Sequence, residues 1–310
     1  MTNKKTKRQY RIRNWADYNK ALVRRGSLTI WIDSQTIETW LSTDDRVGRG
    51  RPHLYADAAI LCSLMLREVY HLPLRSTQGL VLSLMQLLQV QLPVPHYSTL
   101  SRRARCLELQ LSGAASTGPL HLIIDSTGLK LYGEGEWCVR AKGWTRRRTW
   151  RKLHLSLDAA TQQVRAALIT NKEVVDPRVL PRLLKQVAGP IERVTADGAY
   201  DSRECYKAIH QRQARAIIPP RQGSTLWEDE YLQERNKNLR EVRKRGVKAW
   251  KKKSGYHRRS LVETAFFRLK TIFAERLRSR EAQRQVTEVM LRCAAMNRMT
   301  ELGMPESYAI

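Results

Sequence analysis

Apolar and polar positions divide the chain into a helical first part and a mixed second part. Across residues 55–70 apolar side chains recur every three or four positions, which predicts a helix with one buried face. Two further helices are predicted, each beginning at a Ser or Thr that can cap it. They cover residues 76–92, capped by Ser76 or Thr77, and residues 99–109, capped by Ser98. Three helices with a short basic last one indicate a helix-turn-helix unit that binds DNA, although a helical bundle with a solvated basic face has the same pattern.

Beyond residue 118, short apolar runs bounded by turn residues alternate with amphipathic segments. The runs predict five strands, with a hairpin between the second and the third. They cover residues 120–125, 149–158, 164–170, 191–196 and 214–218. Helices are predicted after the third strand from an N-cap at Asp176, after the fourth strand from Ser202, and around Glu263 after the fifth. Residues 221–255, before that last helix, are predicted to form a loop or a small subdomain.

The order of three strands, helix, strand, helix, strand and helix is that of the ribonuclease H fold. We therefore predict an α/β catalytic domain of this class, with a mixed five-stranded sheet and flanking helices, preceded by an all-α helix-turn-helix-like domain. The predicted division is a basic N-terminal segment at 1–50, a helical DNA-binding domain at 51–117, the catalytic domain at 118–280 and a C-terminal helix at 281–310.

The net charge is the next informative feature. The 310 residues include 56 Lys and Arg against 29 Asp and Glu, a formal charge of +27, which indicates a polyanionic partner. A membrane surface is the competing partner. However, the basic residues are spread over the whole chain, and Gln residues interrupt the longest apolar stretch, 79–95. We expect DNA as the partner, and a cytoplasmic, nucleoid-associated protein without a membrane segment.

Three carboxylates are candidates for the chemistry. Asp125 and Asp197 each follow an apolar run that is predicted to be a strand. The first and fourth strands of the predicted fold are neighbours, so these two side chains would lie side by side, and the helix after the fifth strand would bring Glu263 over them. Three carboxylates can hold two Mg²⁺ ions about 3.5–4 Å apart for phosphoryl transfer, and Mn²⁺ can substitute. An aspartate at the end of a strand is, taken alone, equally typical of a turn or a helix cap.

Other polar residues of this part are given structural roles. Asp158, Asp176 and Asp201 are assigned to turns or caps, and His154 to the core or to a face of the sheet. Trp227 is interpreted as a buried anchor, with a wedge against an unpaired base as the alternative.

Around Glu263 the sequence places basic and phenolic groups at helical spacing. At about 100° per residue, Tyr256, Arg259 and Lys270 fall within the same narrow arc as Glu263. Arg259 can bond a DNA phosphate with two N–H groups, and Lys270 can act on it as a point charge. The alternative is an ordinary solvated helix face.

Two basic runs and the third predicted helix supply further candidate DNA contacts. Residues 140–152 hold seven Lys or Arg and residues 237–259 hold eleven, with aromatic residues between them. Such segments can follow a phosphate backbone and stack on exposed bases, although a disordered basic loop is the alternative. The predicted contacts are Arg102, Arg103 and Arg105 of the third helix, and Trp144, Arg146, Arg147 and Arg148 of the first run.

The acidic residues and the helical arc together resemble a known family. The arc from Tyr256 to Lys270 is similar to the Y-R-E-K signature of bacterial insertion-sequence DDE transposases, and the sequences at 125–128 and 197–200 look like their first two acidic motifs. The whole chain resembles the insertion-sequence-five family. The resemblance implies a Mg²⁺-dependent transposase that binds terminal inverted repeats and target DNA. It also implies a homodimer or higher oligomer that nicks the element ends and joins them to the target.

Two other classes of protein stay open at this point. A transposase derivative that binds DNA without catalysis would keep its DNA binding when the three carboxylates are replaced, and would show no metal dependence. A ribonuclease H-like nuclease without strand transfer would hydrolyse DNA and not join it, so a strand-transfer assay separates it from a transposase.

Overall fold

The computed structural model describes residues 10–43, 53–111, 118–131 and 150–310. The helices are α1 (Trp15–Arg24), α2 (Leu28–Trp31), α3 (Ser34–Glu38), α4 (Asp57–Val69), α5 (Leu74–Leu87), α6 (Tyr97–Arg103), α7 (Leu180–Gln186), α8 (Arg203–Gln211), α9 (Gln233–Ser254), α10 (Ser260–Phe273) and α11 (Ala282–Glu301). The strands are β1 (Tyr10–Ile12), β2 (Leu120–Leu131), β3 (Trp150–Asp158), β4 (Val164–Asn171), β5 (Ile191–Thr195), β6 (Arg215–Ile217), β7 (Arg276–Leu277) and β8 (Ser307–Ala309). Short 3₁₀ turns cover Asp176–Arg178, Gly198–Tyr200, Glu230–Leu232 and Tyr256–Arg259.

Most of the strands belong to one mixed sheet. Five lie side by side in the order β4-β3-β2-β5-β6, and β7 pairs with the far end of β2. β3 is antiparallel to β2 and β4, whereas β5 runs parallel to β2 and β6. Parallel neighbours need a crossover connection, and α8 supplies the one between β5 and β6. The prediction of a mixed α/β architecture with flanking helices is confirmed.

The sequence pattern misses one strand of this sheet and shortens another. β7 has only two residues, too few to show a period, so the sheet has six strands and not the predicted five. β2 does not end at Asp125, as predicted, but continues to Leu131, because it keeps pairing with β3 as far as Lys130 opposite Trp150. The small and polar residues of this extension do not show in an apolar pattern. Asp125 therefore lies within a strand, opposite Leu155.

The sheet separates two hydrophobic clusters, because alternate side chains of a strand point to opposite faces. Leu122 and Ile124 of β2 belong to the cluster that contains α7 and α8, and Ile123 belongs to the other. The cluster around Ile123 also takes in α4, α5, α10 and α11. The N-terminal helices and the C-terminal helix thus share one core with the sheet. The division of the chain into four parts stays a prediction.

The helices of the first part form where they are predicted but begin differently. α5 begins directly after Pro73, and the Thr77 hydroxyl donates to the Pro73 carbonyl at 3.0 Å, so neither Ser76 nor Thr77 is the cap. Before α6, the His96 ring accepts from the Ser98 N–H at 3.4 Å, so Ser98 lies inside the helix. α6 has seven residues and is shorter than predicted. A Ser or Thr near a helix start has several possible partners, and the pattern alone does not select one.

Residues 221–255 contain a long helix that the pattern does not show, because charged residues dominate it. α9 occupies 22 residues of the segment, with a kink at Gly246, whose φ of 78° is readily adopted only by glycine. α9 buries Leu239 and Trp250, and all of its Lys and Arg except Arg235 are exposed. This is a basic surface on one long helix. Within the described part of the chain, no helix is long and apolar enough to cross a membrane.

A group of charged residues is buried between α4 and α11. We call Glu68, Glu288 and Arg292, together with Arg67 and Arg278, the core ion-pair network. The first three side chains are each 1% exposed, and Arg292 donates to Glu68 at 3.0 Å and to Glu288 at 2.5 Å. Arg67 and Arg278 lie 3.1 and 2.7 Å from the other oxygen of Glu68. Charges buried this deeply must be paired, so the network fixes the two helices against each other.

Candidate active site

Two aspartates lie where the parallel strands β2 and β5 separate. The last pair between these strands joins Ile123 to Thr195. Asp125 follows two positions later in β2, and Asp197 two positions later, just beyond the end of β5. The charge of Asp197 raises the pKa of Asp125, so the two carboxylates are within electrostatic range of each other. The register of the sheet thus brings the first two predicted acids to one place.

The helix α10 brings Glu263 and Arg259 to Asp125. Val262 and Leu269 of this helix are buried against the sheet, so its opposite side faces outward. Arg259, in the 3₁₀ turn before α10, donates to the Asp125 carboxylate at 2.6 Å and also to the Glu263 carboxylate. We call Asp125, Asp197, Glu263 and Arg259 the carboxylate cluster.

Burial and charge act against each other in this cluster. Burial is the main cause that raises the pKa of Asp125, and the charges of Asp197 and Glu263 add to it. The Ser126 N–H and Arg259 oppose the rise without cancelling it. Burial disfavours the charge of Arg259, but the surrounding carboxylates, Asp125 first, outweigh burial and raise its pKa. The cluster therefore holds more negative charge than its own arginine neutralises.

Asp197 is held by the turn that follows it. Its side chain accepts from the Ala199 N–H at 2.9 Å and caps the 3₁₀ turn Gly198–Tyr200. This bond fixes one carboxylate oxygen, so the turn decides where the other oxygen points. Capping and metal binding are therefore compatible roles for Asp197.

A fourth carboxylate, Asp176, bonds the residue after Asp125 and is missed as a site residue by the sequence. The sequence predicts Asp176 as the N-cap of the helix that follows, and this is wrong. Val175 precedes the 3₁₀ turn instead, and the Asp176 carboxylate points to the sheet. It accepts from the Ser126 hydroxyl at 3.0 Å and from the Lys152 amine at 2.9 Å. Ser126 also donates its N–H to Asp125 at 2.8 Å, so Asp176 supports Asp125 through Ser126. The partners lie far apart in the sequence, and no local pattern could reveal them.

Two buried side chains complete the surroundings. The Tyr200 hydroxyl is fully buried and has no hydrogen-bond partner among the described residues. Burial raises its pKa, and the charges of Asp176, Asp125 and Asp197 add to the rise. His154 is buried and shares a hydrogen bond of 2.9 Å with Thr170, and burial lowers its pKa to about 4. The interpretation of His154 as a core histidine is confirmed.

Of the other residues in the predicted helical arc, Tyr256 lies at the cluster. Burial raises the pKa of Tyr256, and Asp197, Asp125 and Glu263 contribute to the rise while Arg259 opposes it. Lys270 lies two turns beyond Glu263 along α10. The pKa of Glu275 is lowered by a hydrogen bond from Lys130 and by the charges of Lys130 and Lys270, so Lys270 acts on that neighbouring acid.

The predicted DNA contacts have different surroundings. Arg103 donates to the Tyr55 carbonyl at 3.0 Å and is paired with Asp57, so its guanidinium is already engaged. Arg105 is half exposed and lies 2.7 Å from Glu281, whereas Arg102 is exposed. The other four, Trp144, Arg146, Arg147 and Arg148, lie outside the described residues.

The donor set suits a divalent cation chemically. Among the described residues, no three side chains of Asp, Glu, His or Cys are arranged to hold a metal ion. In the carboxylate cluster the guanidinium of Arg259 stands between Asp125 and Glu263 and is paired with both. Hard carboxylate oxygens are the ligands that Mg²⁺ prefers. The types of donor therefore suit Mg²⁺, and Asp125, Asp197 and Glu263 would hold it if Arg259 released the two acids that it bonds.

Comparison with known proteins identifies the family. A family model described as a transposase DDE domain matches residues 116–298, and a second model with the same description matches residues 23–134. A solved structure is also similar, the cryo-EM structure of the piggyBac transposase synaptic complex with hairpin DNA. The match covers 94% of this chain and 76% of that one, with 10% sequence identity and a TM-score of 0.39, so the assignment rests on the family models. Because the first model covers more than half of the chain, the protein belongs to the transposases with a DDE domain, which cut and transfer DNA.

Proposed function

We propose that the protein is the Mg²⁺-dependent transposase of an insertion sequence. It binds the terminal inverted repeats of its element, nicks DNA there and transfers the new ends into target DNA. Asp125, Asp197 and Glu263 hold the metal ions, and Mn²⁺ can replace Mg²⁺. The resemblance to the insertion-sequence-five family, with its Y-R-E-K spacing, supports this finer assignment within the family.

The catalytic domain is ribonuclease H-like in this proposal. The support is the strand order, in which β2, β3 and β4 form an antiparallel series and two parallel strands, β5 and β6, extend the sheet on the other side of β2. Helices cover both faces. The position of Asp125 and Asp197 where β2 and β5 separate, with Glu263 on the neighbouring helix α10, supports this proposal.

The observation that carries the proposal is the position of Arg259 between Asp125 and Glu263. One guanidinium faces three carboxylates. Arg259 donates to Asp125 and to Glu263 but makes no bond to Asp197. The chain as a whole has a charge of +27. A local excess of negative charge in so basic a protein is a cation site, because a DNA phosphate alone would be repelled there.

The chain's own residues position the reacting groups. Asp125 is fixed in a strand and Asp197 by its turn, whereas Glu263 is 53% exposed on a helix and can adjust. The two N–H groups that Arg259 presents to carboxylates suit the oxygens of a phosphate equally well, so it can hold the DNA beside the cleaved bond. When bound, Mg²⁺ supplies activation of the attacking water or 3′-hydroxyl and stabilisation of the leaving oxygen.

DNA recognition is assigned to the basic surfaces. α4, α5 and α6 form the proposed helix-turn-helix unit. Arg102 is its exposed candidate contact, whereas the candidates Arg103 and Arg105 would have to leave Asp57 and Glu281 to reach DNA. The exposed basic side of α9 offers a further path for a phosphate backbone. Joining two element ends to one target requires two active sites, so the protein acts as a homodimer or a higher oligomer on DNA. Its place of action is the nucleoid in the cytoplasm.

The test is a strand-transfer assay. Purified protein is incubated with labelled DNA carrying its own element end and with a target plasmid, in Mg²⁺ or in EDTA, alongside Asp125→Ala. We expect a joined product that needs Mg²⁺ and is lost in the variant, while both proteins bind the element end.

The other outcomes separate the alternatives. Cleavage without joined product would favour a nuclease of the same fold. Binding without cleavage or joining under every condition would favour a DNA-binding derivative. Joining that is unchanged in Asp125→Ala would remove Asp125 from the site.

A further inference from the structure

A buried ion pair holds the turn that carries Asp197. Asp201 follows this turn, and its side chain is 1% exposed. Both oxygens of its carboxylate accept from Arg235 of α9, at 2.8 Å from Nε and 3.3 Å from Nη2. Arg235 is also 1% exposed. A pair with two bonds fixes orientation as well as distance, so α9 and the turn are held in one relative position.

The loop before α9 binds the same turn from outside. The Arg221 N–H donates to the Asp201 carboxylate at 3.0 Å, and the Arg221 guanidinium donates to the carbonyl oxygens of Gly198 at 3.2 Å and Ala199 at 2.9 Å. The Ser224 hydroxyl lies 3.5 Å from the Asp201 carboxylate. The two residues directly after Asp197 are therefore held through their backbone.

Arg235 is itself fixed on its remaining sides. It donates to the Thr225 carbonyl at 2.7 Å and lies over the Trp227 ring, 3.4 Å from the ring centroid. Asn236 bonds both the N–H and the carbonyl of Trp227, at 3.1 and 2.6 Å. Trp227, predicted to be a buried anchor, is anchored by these bonds but is only half-buried. The helix that carries Arg235 is followed in the chain by Gly255, the turn of Arg259 and then α10.

We propose that Asp201 is a positioning residue, which sets the direction of the Asp197 carboxylate through its bonds to Arg235 and Arg221. The inference rests on the proposed function, in which Asp197 is a metal ligand. One oxygen of Asp197 is fixed by the Ala199 N–H, and the Ala199 carbonyl is held by Arg221. A change in the turn therefore rotates the oxygen that would bind the cation.

The expected size of the effect follows from the role. Residues that orient a metal ligand without touching the metal typically change metal affinity by about 10- to 100-fold when they are replaced. Asp201→Asn keeps the shape of the side chain but removes the charge that faces Arg235. It should weaken cation binding by about 10-fold or more, while the donors of the site stay in place.

The chain offers a control in Asp158, which like Asp201 is a buried aspartate beside a turn and is bonded by an arginine and by backbone N–H. Its side chain is 1% exposed and accepts from the Ala160 N–H at 3.1 Å, the Thr161 hydroxyl at 2.7 Å and Arg165 at 3.3 Å. Its turn joins β3 to β4 and carries no proposed site residue. Asp158→Asn should lower thermal stability as Asp201→Asn does and leave cation binding unchanged.

The experiment measures Mn²⁺ binding and not turnover. Full-length protein is saturated with a duplex carrying its element end, and free Mn²⁺ is followed by electron paramagnetic resonance for wild type, Asp201→Asn, Asp158→Asn and Asp197→Asn. Weaker binding in Asp201→Asn, with wild-type affinity in Asp158→Asn, supports the inference. Wild-type affinity in Asp201→Asn, or equal losses in Asp201→Asn and Asp158→Asn, overturns it.

The metal role of Asp197 and the positioning role of Asp201 give different results in this experiment. If Asp197→Asn binds Mn²⁺ as tightly as wild type, the proposed metal role of Asp197 is wrong. If Asp197→Asn loses binding but Asp201→Asn does not, only the positioning role is wrong. Should Asp201→Asn not fold, Arg221→Met decides, because Arg221 is exposed and still holds the turn. A loss of several-fold in its Mn²⁺ affinity supports the inference, and an unchanged affinity overturns it.

Discussion

Two arginines of this protein each stand between two carboxylates, in regions that differ in burial. In the core ion-pair network, Arg292 and both carboxylates that it joins are 1% exposed. In the carboxylate cluster, Arg259 is 24% exposed, and its partners Asp125 and Glu263 are 14% and 53% exposed. The geometry of the pairs is similar, but only the second group can exchange its partners with solvent, ions or DNA.

The charge balance of the two regions differs as well. The core network sets three arginines against two acids, so no acid is left without a cation. The carboxylate cluster sets one arginine against three acids. Burial and charge balance, and not the presence of ion pairs, therefore distinguish the buried core network from the cluster that we propose to hold metal ions.

The strongest test of this comparison is Glu263→Gln. The change keeps the shape of an exposed side chain and removes one of the three negative charges, so cleavage and joining should fall on the order of 10³-fold or more, about 4 kcal/mol in the barrier. Binding of the element end and the unfolding free energy should change little. The measurement is the strand-transfer assay in Mg²⁺, with binding followed by gel shift. Wild-type cleavage by this variant would place Glu263 outside the metal site.

The two arginines can be compared directly through Arg292→Met and Arg259→Met. Removing Arg292 leaves Glu288 buried without its arginine and takes one of three arginines from Glu68, so it should lower the unfolding free energy by about 3–5 kcal/mol. Removing Arg259 should lower it by less than about 1 kcal/mol, because its partners remain in contact with water. Urea unfolding in EDTA measures both variants.

Adding Mg²⁺ should affect the stability of the two variants differently. It should stabilise Arg259→Met more than wild type, because the arginine no longer occupies the place between Asp125 and Glu263, and it should not rescue Arg292→Met. Equal losses of stability for the two variants would contradict the distinction between a structural and a functional cluster.

The parts of the molecule that the sequence could predict are those that a local pattern defines. Strands β3 and β4 lie within about one residue of their predicted bounds, because their apolar runs end in clear turns. The first two acids are predicted from the ends of the apolar runs 120–125 and 191–196, and the third from the helix after the fifth strand. The structure brings Asp125, Asp197 and Glu263 near one another, while their roles stay a proposal. Local order in the sequence is sufficient for features of this kind.

The roles that depend on distant partners could not be predicted. Asp176 and Asp201 look like ordinary turn residues, and only the folded chain shows that Lys152 and Arg235 meet them. α9 escaped prediction because the contacts of Arg235 and a few apolar residues hold it, without a continuous apolar stripe. A charged residue has the same appearance in a sequence whether it faces water, DNA or a buried partner.

A smaller effect is expected within one turn of α6, where Arg102 is exposed and Arg103 is paired with Asp57. Arg102→Ala should weaken binding to the element end by about 1 kcal/mol and reduce the salt dependence of binding by about one counterion. Arg103→Ala should instead lower the unfolding free energy by about 1 kcal/mol, because its carbonyl and carboxylate partners lose a donor. Gel shifts at several salt concentrations and urea unfolding measure the two effects. The opposite assignment would show that Arg103 leaves Asp57 to reach DNA.

The smallest expected effect is a gain in stability from Asp125→Asn. The folded protein raises the pKa of Asp125, so the contribution of this side chain to stability is fully present below its unfolded pKa and is lost as the pH rises through the folded value. At neutral pH the charged side chain therefore costs stability. Asn, which does not titrate, should raise the unfolding free energy by about 0.5 kcal/mol, a gain typical of replacements at functional sites.

The pH dependence decides whether this gain has the proposed cause. In EDTA, the difference between Asp125→Asn and wild type should be largest near pH 7 and shrink as the pH falls toward 4, because wild-type Asp125 then takes up its proton. Glu68→Gln is the contrasting variant, since it breaks the core ion-pair network and should be less stable than wild type at neutral pH. If Asp125→Asn were also less stable than wild type at neutral pH, the bond from Arg259 to Asp125 would outweigh the cost of burial. The core ion-pair network and the carboxylate cluster would then differ in exposure, but the charged acids of both would stabilise the fold.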